Sequence, residues 1–375
     1  MSEERLRSAV EALHRSVAEV DVMERLERLQ GRRRRYRATS VAVAILLVAA
    51  VSGAVALAAR QAGLPEPATR PTTTAPVVAP AGTVVATIPV QGGPSGVAVG
   101  GGAVWVATWG VERSRVVRID PAGNRVVATI AVPRGQAALA VGADAVWVAS
   151  SSNNSVSRID PATNKVAATI DVDRQPSGIA VAAGSVWVAS ALDDTVSRID
   201  PASNRVAATI PIPGQGSALS LAAAGGSVWV SGSRGLGRID PAGNRVTPVD
   251  VCCGEVAAGA GGLWVANGMD RTVLRVDPAT GRVLARIPVP PAAAPEGPFG
   301  IAAAGGAVWV TSETVEPKPG DASLLWRVAA AANRFAGTLR VGTVDRNHIS
   351  PTVAAGQDAV WVTVADADAV LRIRP

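Results

Sequence analysis

The polar residues that could bind or catalyse lie in short irregular segments between apolar runs. Five arginines, five acids, one histidine and one tryptophan form the candidate set: Trp109, Arg134, Arg174, Asp193, Asp194, Arg234, Glu255, Asp270, Arg271, Glu313, Arg346 and His348. A balanced mixture of charges suits recognition of a polar ligand or a partner protein. The alternative is that these side chains are solvated loop tips.

Catalytic motifs are scarce in the sequence. His348 is the only histidine beyond residue 14, and no G-x-S-x-G, H-E-x-x-H or phosphate-cradling loop occurs. A histidine without an identifiable partner is more often a polar loop residue than a general base. No spacing of acids resembles a known metal-binding loop. We therefore expect no catalytic residue, no cofactor and no metal site.

Cys252 and Cys253 are adjacent and are the only cysteines in the chain. Consecutive α-carbons lie about 3.8 Å apart, which is below the usual range for a disulfide. We expect two small apolar residues at the end of a strand, with a redox or metal-binding role as the alternative.

The segments that carry the candidate residues separate copies of a repeat. The sequence "AVWVASSSNNSVSRIDPATNKVAATI" at 145–170 returns as "SVWVASALDDTVSRIDPASNRVAATI" at 185–210. The tryptophan of this V-W-V or L-W-V core occurs seven times, at intervals of 35 to 52 residues: Trp105, Trp147, Trp187, Trp229, Trp264, Trp309 and Trp361. Such a period is typical of a solenoid, a propeller or an array.

Each copy contains four short apolar runs divided by turn residues. Val, Ile, Thr and Trp dominate the runs, which predicts four antiparallel strands, here called A to D. In the C–D connection, Asp160 and Pro161 suit a type I turn, and Asn164 stands where a left-handed residue is needed. Asn or Gly takes the same place in other copies: Asn124, Asn204, Asn244, Gly281 and Asn333.

The two ends of the repeat region complement each other. The chain stops at "DAVLRIRP", a C strand with no D strand after it, whereas "GTVVATIPV" at 82–90 matches a D strand with no A, B or C before it. The sequence therefore predicts an all-β, seven-bladed β-propeller over residues 82–375, in which the N-terminal strand joins the last blade. A helical N-terminal segment and one transmembrane helix are predicted to precede it.

The strings V-W-V-A, S-R-I-D-P-A-T-N-K-V and A-T-I-x-V resemble the YVTN-type, YncE-like β-propeller repeat family. That family is related in shape to NHL and virginiamycin-B-lyase-like propellers. The resemblance covers residues 82–375 and implies the fold, but it implies little about activity because the blade core hosts many roles. A virginiamycin-lyase-like activity would imply several histidines, a glutamate and Mg²⁺ near the channel, and this propeller has a single histidine.

An uncharged stretch of 22 residues separates Arg37 from Arg60. About 20 apolar residues span a bilayer, so residues 40–59 are predicted to form a transmembrane helix. The preceding "GRRRRYR" places the N-terminus in the cytoplasm and the propeller outside, as a single-pass anchor. The alternative is a secreted protein released by signal cleavage near Ala58, which an initiation at Met23 would favour.

The segments on either side of this helix have different predicted roles. Residues 1–39 form an Arg-rich amphipathic helical segment, in which 1–30 could dock a cytoplasmic regulator or lie on anionic lipid. Residues 60–81 are rich in Pro, Thr and Ala and predict an extended linker.

The net charge of +6 does not indicate nucleic-acid binding. Residues 1–60 hold 11 arginines against 7 acids, and the remaining chain holds 25 basic and 23 acidic residues. In a propeller the D–A and B–C connections emerge on one face, where we expect the candidate residues to lie. The sequence thus predicts a membrane-anchored, extracytoplasmic module that binds a cell-envelope ligand or protein. An enzyme of lyase or hydrolase type using loop carboxylates and His348, or a structural scaffold, is the alternative.

Overall fold

The structure is a computed structural model that describes residues 80–109, 114–135, 137–214, 218–252, 254–289, 296–314, 322–343, 350–356 and 358–375. Together they contain 28 β-strands and two 3₁₀ turns, Ala330–Ala332 and Ala365–Ala367. The strands form seven antiparallel sheets of four strands each, so the described part of the chain is an all-β seven-bladed propeller.

The blades are numbered in chain order, and each is given as its A, B, C and D strands. Blade 1 is β2 (Pro94–Gly100), β3 (Ala103–Thr108), β4 (Ser114–Asp120) and β5 (Arg125–Val132). Blade 2 is β6 (Ala137–Gly142), β7 (Ala145–Ser150), β8 (Ser155–Asp160) and β9 (Lys165–Asp171). Blade 3 is β10 (Pro176–Ala182), β11 (Ser185–Ser190), β12 (Thr195–Asp200) and β13 (Arg205–Pro211). Blade 4 is β14 (Ala218–Ala224), β15 (Ser227–Gly232), β16 (Leu236–Asp240) and β17 (Arg245–Val249).

The remaining three blades include the one that closes the ring. Blade 5 is β18 (Glu255–Gly259), β19 (Gly262–Asn267), β20 (Thr272–Val276) and β21 (Val283–Pro288). Blade 6 is β22 (Glu296–Ala304), β23 (Ala307–Thr314), β24 (Ala322–Ala329) and β25 (Arg334–Thr343). Blade 7 is β26 (Val353–Ala355), β27 (Val360–Val364), β28 (Ala369–Arg374) and, as its D strand, β1 (Thr83–Pro89).

The predicted closure by the N-terminal strand is confirmed. β1 pairs antiparallel with β28, with Thr83 opposite Arg374 and Pro89 opposite Ala369. The residues just before β1 also contact blade 6, because the fully buried Ala81 donates its N–H to the Thr338 carbonyl at 3.2 Å. The first strand therefore links the last two blades.

The core consists of seven apolar clusters, one between each pair of neighbouring blades. Each cluster places the repeat tryptophan of one blade against the B and C strands of the next; Trp187 packs with Val228, Val230 and Ile239 of blade 4. The indole Nε1 of Trp187 donates to the Ala182 carbonyl at 3.0 Å, which satisfies its polar group. The tryptophan is conspicuous in the repeat because it fills the space between blades.

The arginine of the R-I-D motif forms a second link between blades, which we call the interblade clasp. The Arg198 guanidinium lies 5.3 Å from the centre of the Trp187 ring. Its Nη1 donates to the Pro241 carbonyl at 2.8 Å and to Asn244 Oδ1 at 3.3 Å, both in blade 4. Arg118, Arg158, Arg275 and Arg372 make the same pair of bonds to the next blade.

The turn asparagines therefore have two roles. Asn164 and Asn204 adopt the predicted left-handed conformation, with φ of 55° and 54°, and their side chains accept hydrogen bonds from the clasp arginines. Gly281 keeps the left-handed conformation in blade 5 but supplies no side chain, so Arg238 bonds only the Ala279 carbonyl there. An open groove of about 560 Å³ lies at that seam.

The turn aspartates give the propeller a predictable response to acid. The Ala162 N–H and the Thr163 hydroxyl donate to the Asp160 carboxylate, and these bonds lower its pKa below the ordinary 3.8. Side-chain bonds from Ser203 and Thr280, followed by backbone bonds, lower the pKa of Asp200 and Asp277 in the same way. A lowered folded-state pKa means that the stabilisation is complete above pH 3.8 and is lost as the pH falls through the lowered value.

We expect the triple variant Asp160→Asn, Asp200→Asn, Asp277→Asn to lose this acid dependence. Its Tm should fall less steeply than that of the wild type as the pH is lowered below about 4, because three of the five turn carboxylates are replaced and only Asp120 and Asp240 keep theirs. Thermal unfolding followed between about pH 6 and pH 2 measures the slopes. Asp144→Asn, in an exposed A–B turn, is the control, and equal slopes in all three proteins would contradict the prediction.

The predicted N-terminal helices lie outside the residues that the structure describes. Within the residues that the structure describes, no helix is long and apolar enough to cross a membrane. The predicted span 40–59 and the helical segment 1–39 lie outside those residues, as does the linker 60–81 apart from Pro80 and Ala81.

Candidate functional site

The connections of each blade divide the propeller into two faces. We call the side with the D–A and B–C connections the loop face, and the side with the A–B and C–D turns the turn face. The A strands of neighbouring blades contact one another around the ring and line a central channel. The interblade clasps occupy the turn face, so the sequence there is constrained by the fold, whereas the loop face is where copies of the repeat differ.

A cavity of about 320 Å³ lies at the loop-face end of the channel, and we call it the channel mouth. Its wall contains residues from all seven blades and is rich in small and hydroxyl side chains. The lining residues are Ser95, Gly96, Val97, Ala138, Leu139, Ser151, Gln175, Pro176, Ser177, Gly178, Ile179, Ser220, Leu221, Glu255, Phe299, Ser350, Thr352 and Val353. Glu255 is the only one with an ionisable side chain among them.

Glu255, a residue predicted from the sequence, is held in place from both sides. The N–H of Gly254 donates to Ser231 Oγ at 3.2 Å, and the N–H of Val256 donates to Ser220 Oγ at 3.3 Å. Both serines belong to blade 4, so the segment that carries the carboxylate is fastened across a blade boundary. Gly254 has φ of 137°, and a Cβ there would lie 1.8 Å from the Ala266 carbonyl oxygen, so no other residue fits.

An ion pair joins two of the predicted residues at the rim of the loop face. Arg174 donates from Nε and Nη2 to Asp193 Oδ1, at 2.8 and 2.5 Å, and from its backbone N–H to Oδ2 at 2.7 Å. The side-chain bond from Arg174 lowers the pKa of Asp193, and the same bond raises the pKa of Arg174. The arginine side chain is 66% exposed, so the pair is a solvated feature that a partner could reach.

Asp194 and Arg271 have structural roles that the sequence did not reveal. Both lie in B–C turns with positive φ, 52° and 54°. The Asp194 carbonyl accepts from the Ile212 N–H at 2.9 Å, and the Arg271 carbonyl accepts from the Val289 N–H at 2.9 Å. These bonds fix the backbone at both positions, and the left-handed conformation at residue 194 suits an aspartate.

The other described candidates are separate from one another. Arg134 and Arg234 are exposed. Asp270 is tied to Asn267, which donates from Nδ2 to Asp270 Oδ2 at 3.1 Å and accepts from the Asp270 N–H at 3.0 Å. Trp109 is 47% exposed and donates its N–H to the Gly93 carbonyl at 3.1 Å.

Three of the predicted residues have side chains outside the part of the chain that the structure describes. Glu313 was expected in a long loop, but its backbone lies in strand β23 opposite Gly297, because β22 and β23 are paired through Thr314. Its side chain lies outside the described atoms, and Arg346 and His348 lie outside the described residues.

Sequence reasoning missed several residues of the loop face. Leu192 and Met269 are 62% and 77% exposed in B–C connections, where they join Trp109 as large apolar groups. Ser220 and Phe299 line the channel mouth. Ser220 carried a usable signal, because it stands where the A strands of blades 1, 3 and 6 have Gly96, Gly178 and Gly300.

The cysteine prediction is corrected. Cys252 is disulfide-bonded, and Cys253 is the only other cysteine in the sequence. Cys252 lies beyond the end of β17, in the D–A connection that leads to Glu255. Among the described side chains, no three of His, Cys, Asp and Glu come together as a metal site.

Solved structures similar to this chain are numerous and functionally diverse. One is titled Kuenenia stuttgartiensis hydrazine synthase, with a TM-score of 0.62 and 15% identity over 76% of this chain and 96% of that one. A streptogramin B lyase structure has a TM-score of 0.62 and 15% identity, covering 77% of this chain and 96% of that one. The structure of U3-55K has a TM-score of 0.60 and 13% identity, covering 80% of this chain and 100% of that one.

These similarities define a class of fold and no particular activity. No protein-family model matches the sequence. No curated protein matches it either. The chain contains a seven-bladed β-propeller whose structural neighbours include a streptogramin B lyase and the WD40 repeats of RRP9.

Proposed function

We propose that this chain is a non-catalytic binding module that recognises a cell-envelope component, a ligand or a protein, through its loop face. The observation that carries the proposal is the channel mouth, a cavity built by all seven blades and surrounded by connections that differ from blade to blade. The turn face has a different character, since the clasps and turn aspartates there use their polar groups within the propeller.

We further propose that residues 40–59 anchor the chain in the cytoplasmic membrane, with the N-terminus inside and the propeller in the extracytoplasmic space. The uncharged stretch and the arginines before it support this topology. Residues 60–81 then act as a linker, and residues 1–30 offer a surface for a cytoplasmic regulator. Secretion after cleavage near Ala58 is the alternative.

The repeat strings support membership of the YVTN-type, YncE-like propellers. A binding role for the loop face is compatible with that membership. A lyase or hydrolase function is the second candidate. The observation that favours it is the Glu255 carboxylate in the channel mouth, where a substrate could meet an acid or base.

A photo-crosslinking amino acid placed at Trp109 or Leu192 tests the proposal in intact cells. We expect an adduct to an envelope component from these loop-face positions and none from Ala122 or Ala202, which are exposed on the turn face. External protease should digest the propeller of spheroplasts and leave an N-terminal tag protected. Adducts from both faces alike, or from neither, would contradict binding through the loop face.

A further inference from the structure

Arg238, in the clasp between blades 4 and 5, lacks a partner that the clasp arginines of five other blades have. Its Nε donates to Ser227 Oγ at 2.8 Å and its Nη1 donates to the Ala279 carbonyl at 2.7 Å. The asparagine oxygen that completes the five other clasps is missing here, because Gly281 stands in its place. A guanidinium has five N–H groups, so Arg238 keeps donors that no described residue uses.

The Arg238 guanidinium is also displaced from the position that the other clasps share. In those clasps the bonded carbonyl lies three residues before the turn asparagine, as do Pro241 and Asn244. Arg238 instead bonds the carbonyl two residues before Gly281, and this bond is exposed. Its guanidinium carbon lies 5.9 Å from the centre of the Trp229 ring, whereas the five asparagine-containing clasps have distances of 5.1 to 5.5 Å. The head group therefore lies further from the core, at the wall of the open groove.

Glycine at residue 281 leaves space as well as an unused donor. Its φ is 75°, so the left-handed turn conformation of the other copies is kept without their side chain. A Cβ at this position would lie 3.3 Å from the Cγ atoms of Val249 and 3.7 Å from Trp229 Cη2. Gly281 and Val249 both line the groove of about 560 Å³. The space that an asparagine side chain occupies at other seams therefore opens into this groove.

The groove has the size of a ligand site and a balanced charge. Its volume falls within the range of small-molecule sites. Its ionisable lining residues are two arginines, Arg238 and Arg282, and two aspartates, Asp240 and Asp250. The Asp240 carboxylate already accepts two N–H groups of its own turn, at 3.1 and 3.2 Å. The turns and the strand that form the groove are described without gaps, so no undescribed residue of these elements alters the balance.

A carboxylate is the ligand group that best fits the unused donors. The N–H groups of a guanidinium match the two oxygens of a carboxylate in geometry, and the resulting bonds are charge-assisted. One carboxylate oxygen can take the position that the asparagine Oδ1 has in the other clasps. Arg282 adds a second positive charge to the same groove. The two aspartates disfavour a ligand with several negative charges, because the lining as a whole carries no excess positive charge.

From these observations we propose that the groove between blades 4 and 5 binds a peptide through a single carboxylate, which takes the place of the missing clasp asparagine beside Arg238. The groove is open beside the edge strand β17, so the chain that carries the carboxylate can continue out of it. The site lies on the turn face and does not depend on recognition by the loop face. The turn-face control positions Ala122 and Ala202 belong to blades 1 and 3 and lie outside it.

Two pairs of short peptides provide the test. Acetyl-alanyl-alanine and its C-terminal amide differ in the terminal carboxylate, and the amides of acetyl-aspartate and acetyl-asparagine differ in the side-chain carboxylate. Saturation-transfer NMR on the full-length chain in detergent at about pH 7, where both carboxylates are ionised, measures their binding.

At least one of the two carboxylates should bind with a millimolar Kd, as a ligand of this size allows, and its neutral partner at least about tenfold more weakly. The pair that shows this difference identifies the source of the carboxylate as a chain terminus or an acidic side chain. Equal binding within both pairs, or no binding of any peptide, would overturn the proposal.

Two substitutions of Gly281 assign the binding to the incomplete clasp. Gly281→Asn supplies the missing acceptor and should weaken carboxylate binding by at least about tenfold, because its oxygen competes for Arg238. Gly281→Ala adds the same Cβ without an acceptor and should keep the binding to within about threefold. The asparagine variant should also have the higher Tm of the two, since it completes the clasp. Unchanged binding in Gly281→Asn, or an equal loss in both variants, would overturn the role of Arg238.

The second positive charge of the groove has its own readout. Arg282→Gln should weaken carboxylate binding several-fold and leave the binding of the neutral amides unchanged, because it removes one charge. Arg286→Gln is the matched control, since Arg286 is exposed in the same strand, β21, but does not line the groove. It should change neither. Equal effects of the two substitutions would place the bound carboxylate outside this groove and overturn the proposal.

Discussion

Deletion of residues 80–89 is expected to abolish the folded propeller. These residues include β1, which pairs with β28 along its length, and Ile88, which is 1% exposed in the cluster between blades 7 and 1. Without them blade 7 has three strands, and β28 becomes an unpaired edge. The loss should exceed the roughly 5–15 kcal/mol that stabilises a typical domain.

The deletion can be matched to a control and to a rescue. Removing ten residues of the predicted linker, 66–75, shortens the chain equally and should leave the melting transition unchanged. A synthetic peptide of residues 80–90, added in trans, should restore a cooperative transition by occupying the position of β1. A deletion variant that melts like the wild type would show that the ring does not depend on this strand.

Trp187→Ala is expected to lower the free energy of unfolding by about 3–5 kcal/mol. The indole is fully buried between blades 3 and 4, so its removal leaves a cavity beside Val228 and Val230. It also removes the surface on which the Arg198 guanidinium lies, while the hydrogen bonds of that arginine to blade 4 remain.

Trp109→Ala is the matched control for this substitution. Trp109 is also a tryptophan near a blade's B strand, but it is 47% exposed on the loop face, and its loss should change the stability by about 0.5 kcal/mol or less. Denaturant unfolding of the two variants and the wild type measures the denaturant concentration at which half of each protein is unfolded. The comparison assumes the same dependence of the unfolding free energy on denaturant concentration in all three proteins. Similar destabilisation by both would contradict a core made of interblade tryptophans.

Much of the fold was predictable because the repeat makes each local rule visible several times. A single asparagine at residue 164 says little, but Asn or Gly at the same place in six copies requires a left-handed residue, and φ at Asn164 is 55°. The closing strand was predictable for a similar reason, since an unmatched D strand and an unmatched C strand leave one way to complete the ring.

The interblade interactions were not predictable, because the clasp bonds join residues at least 41 positions apart in the sequence. From the sequence alone, Arg198 could equally be an exposed strand residue. Its role becomes visible only in the folded propeller, where Pro241 and Asn244 of the next blade lie beside it. The same limit applies to the site, where Ser220 and Ser231 fasten the segment around Glu255 from the preceding blade.

Residue type alone also did not reveal the structural roles of loop residues. Asp194 was predicted from its charge in a variable loop, and the structure adds that it occupies a left-handed turn position and uses its carbonyl within blade 3. In contrast, the exposed Leu192 and Met269 were overlooked because apolar loop residues carry no obvious chemistry in a sequence. Exposure on the loop face, which only the fold reveals, makes them relevant to a partner.

The measurement that tests loop-face recognition most directly is quantitative capture from an envelope extract by three forms of the full-length chain. The first is the wild type, and the second carries Trp109→Ala, Arg174→Ala, Leu192→Ala and Asp193→Ala on the loop face. The third carries Arg125→Ala, Lys165→Ala, Arg205→Ala and Arg245→Ala, four exposed residues beside the turn-face connections. We predict that the loop-face variant loses at least about tenfold in captured component, as expected for several truncated contacts, while the third form matches the wild type. Equal capture by all three folded proteins, or a loss confined to the third, would contradict recognition through the loop face.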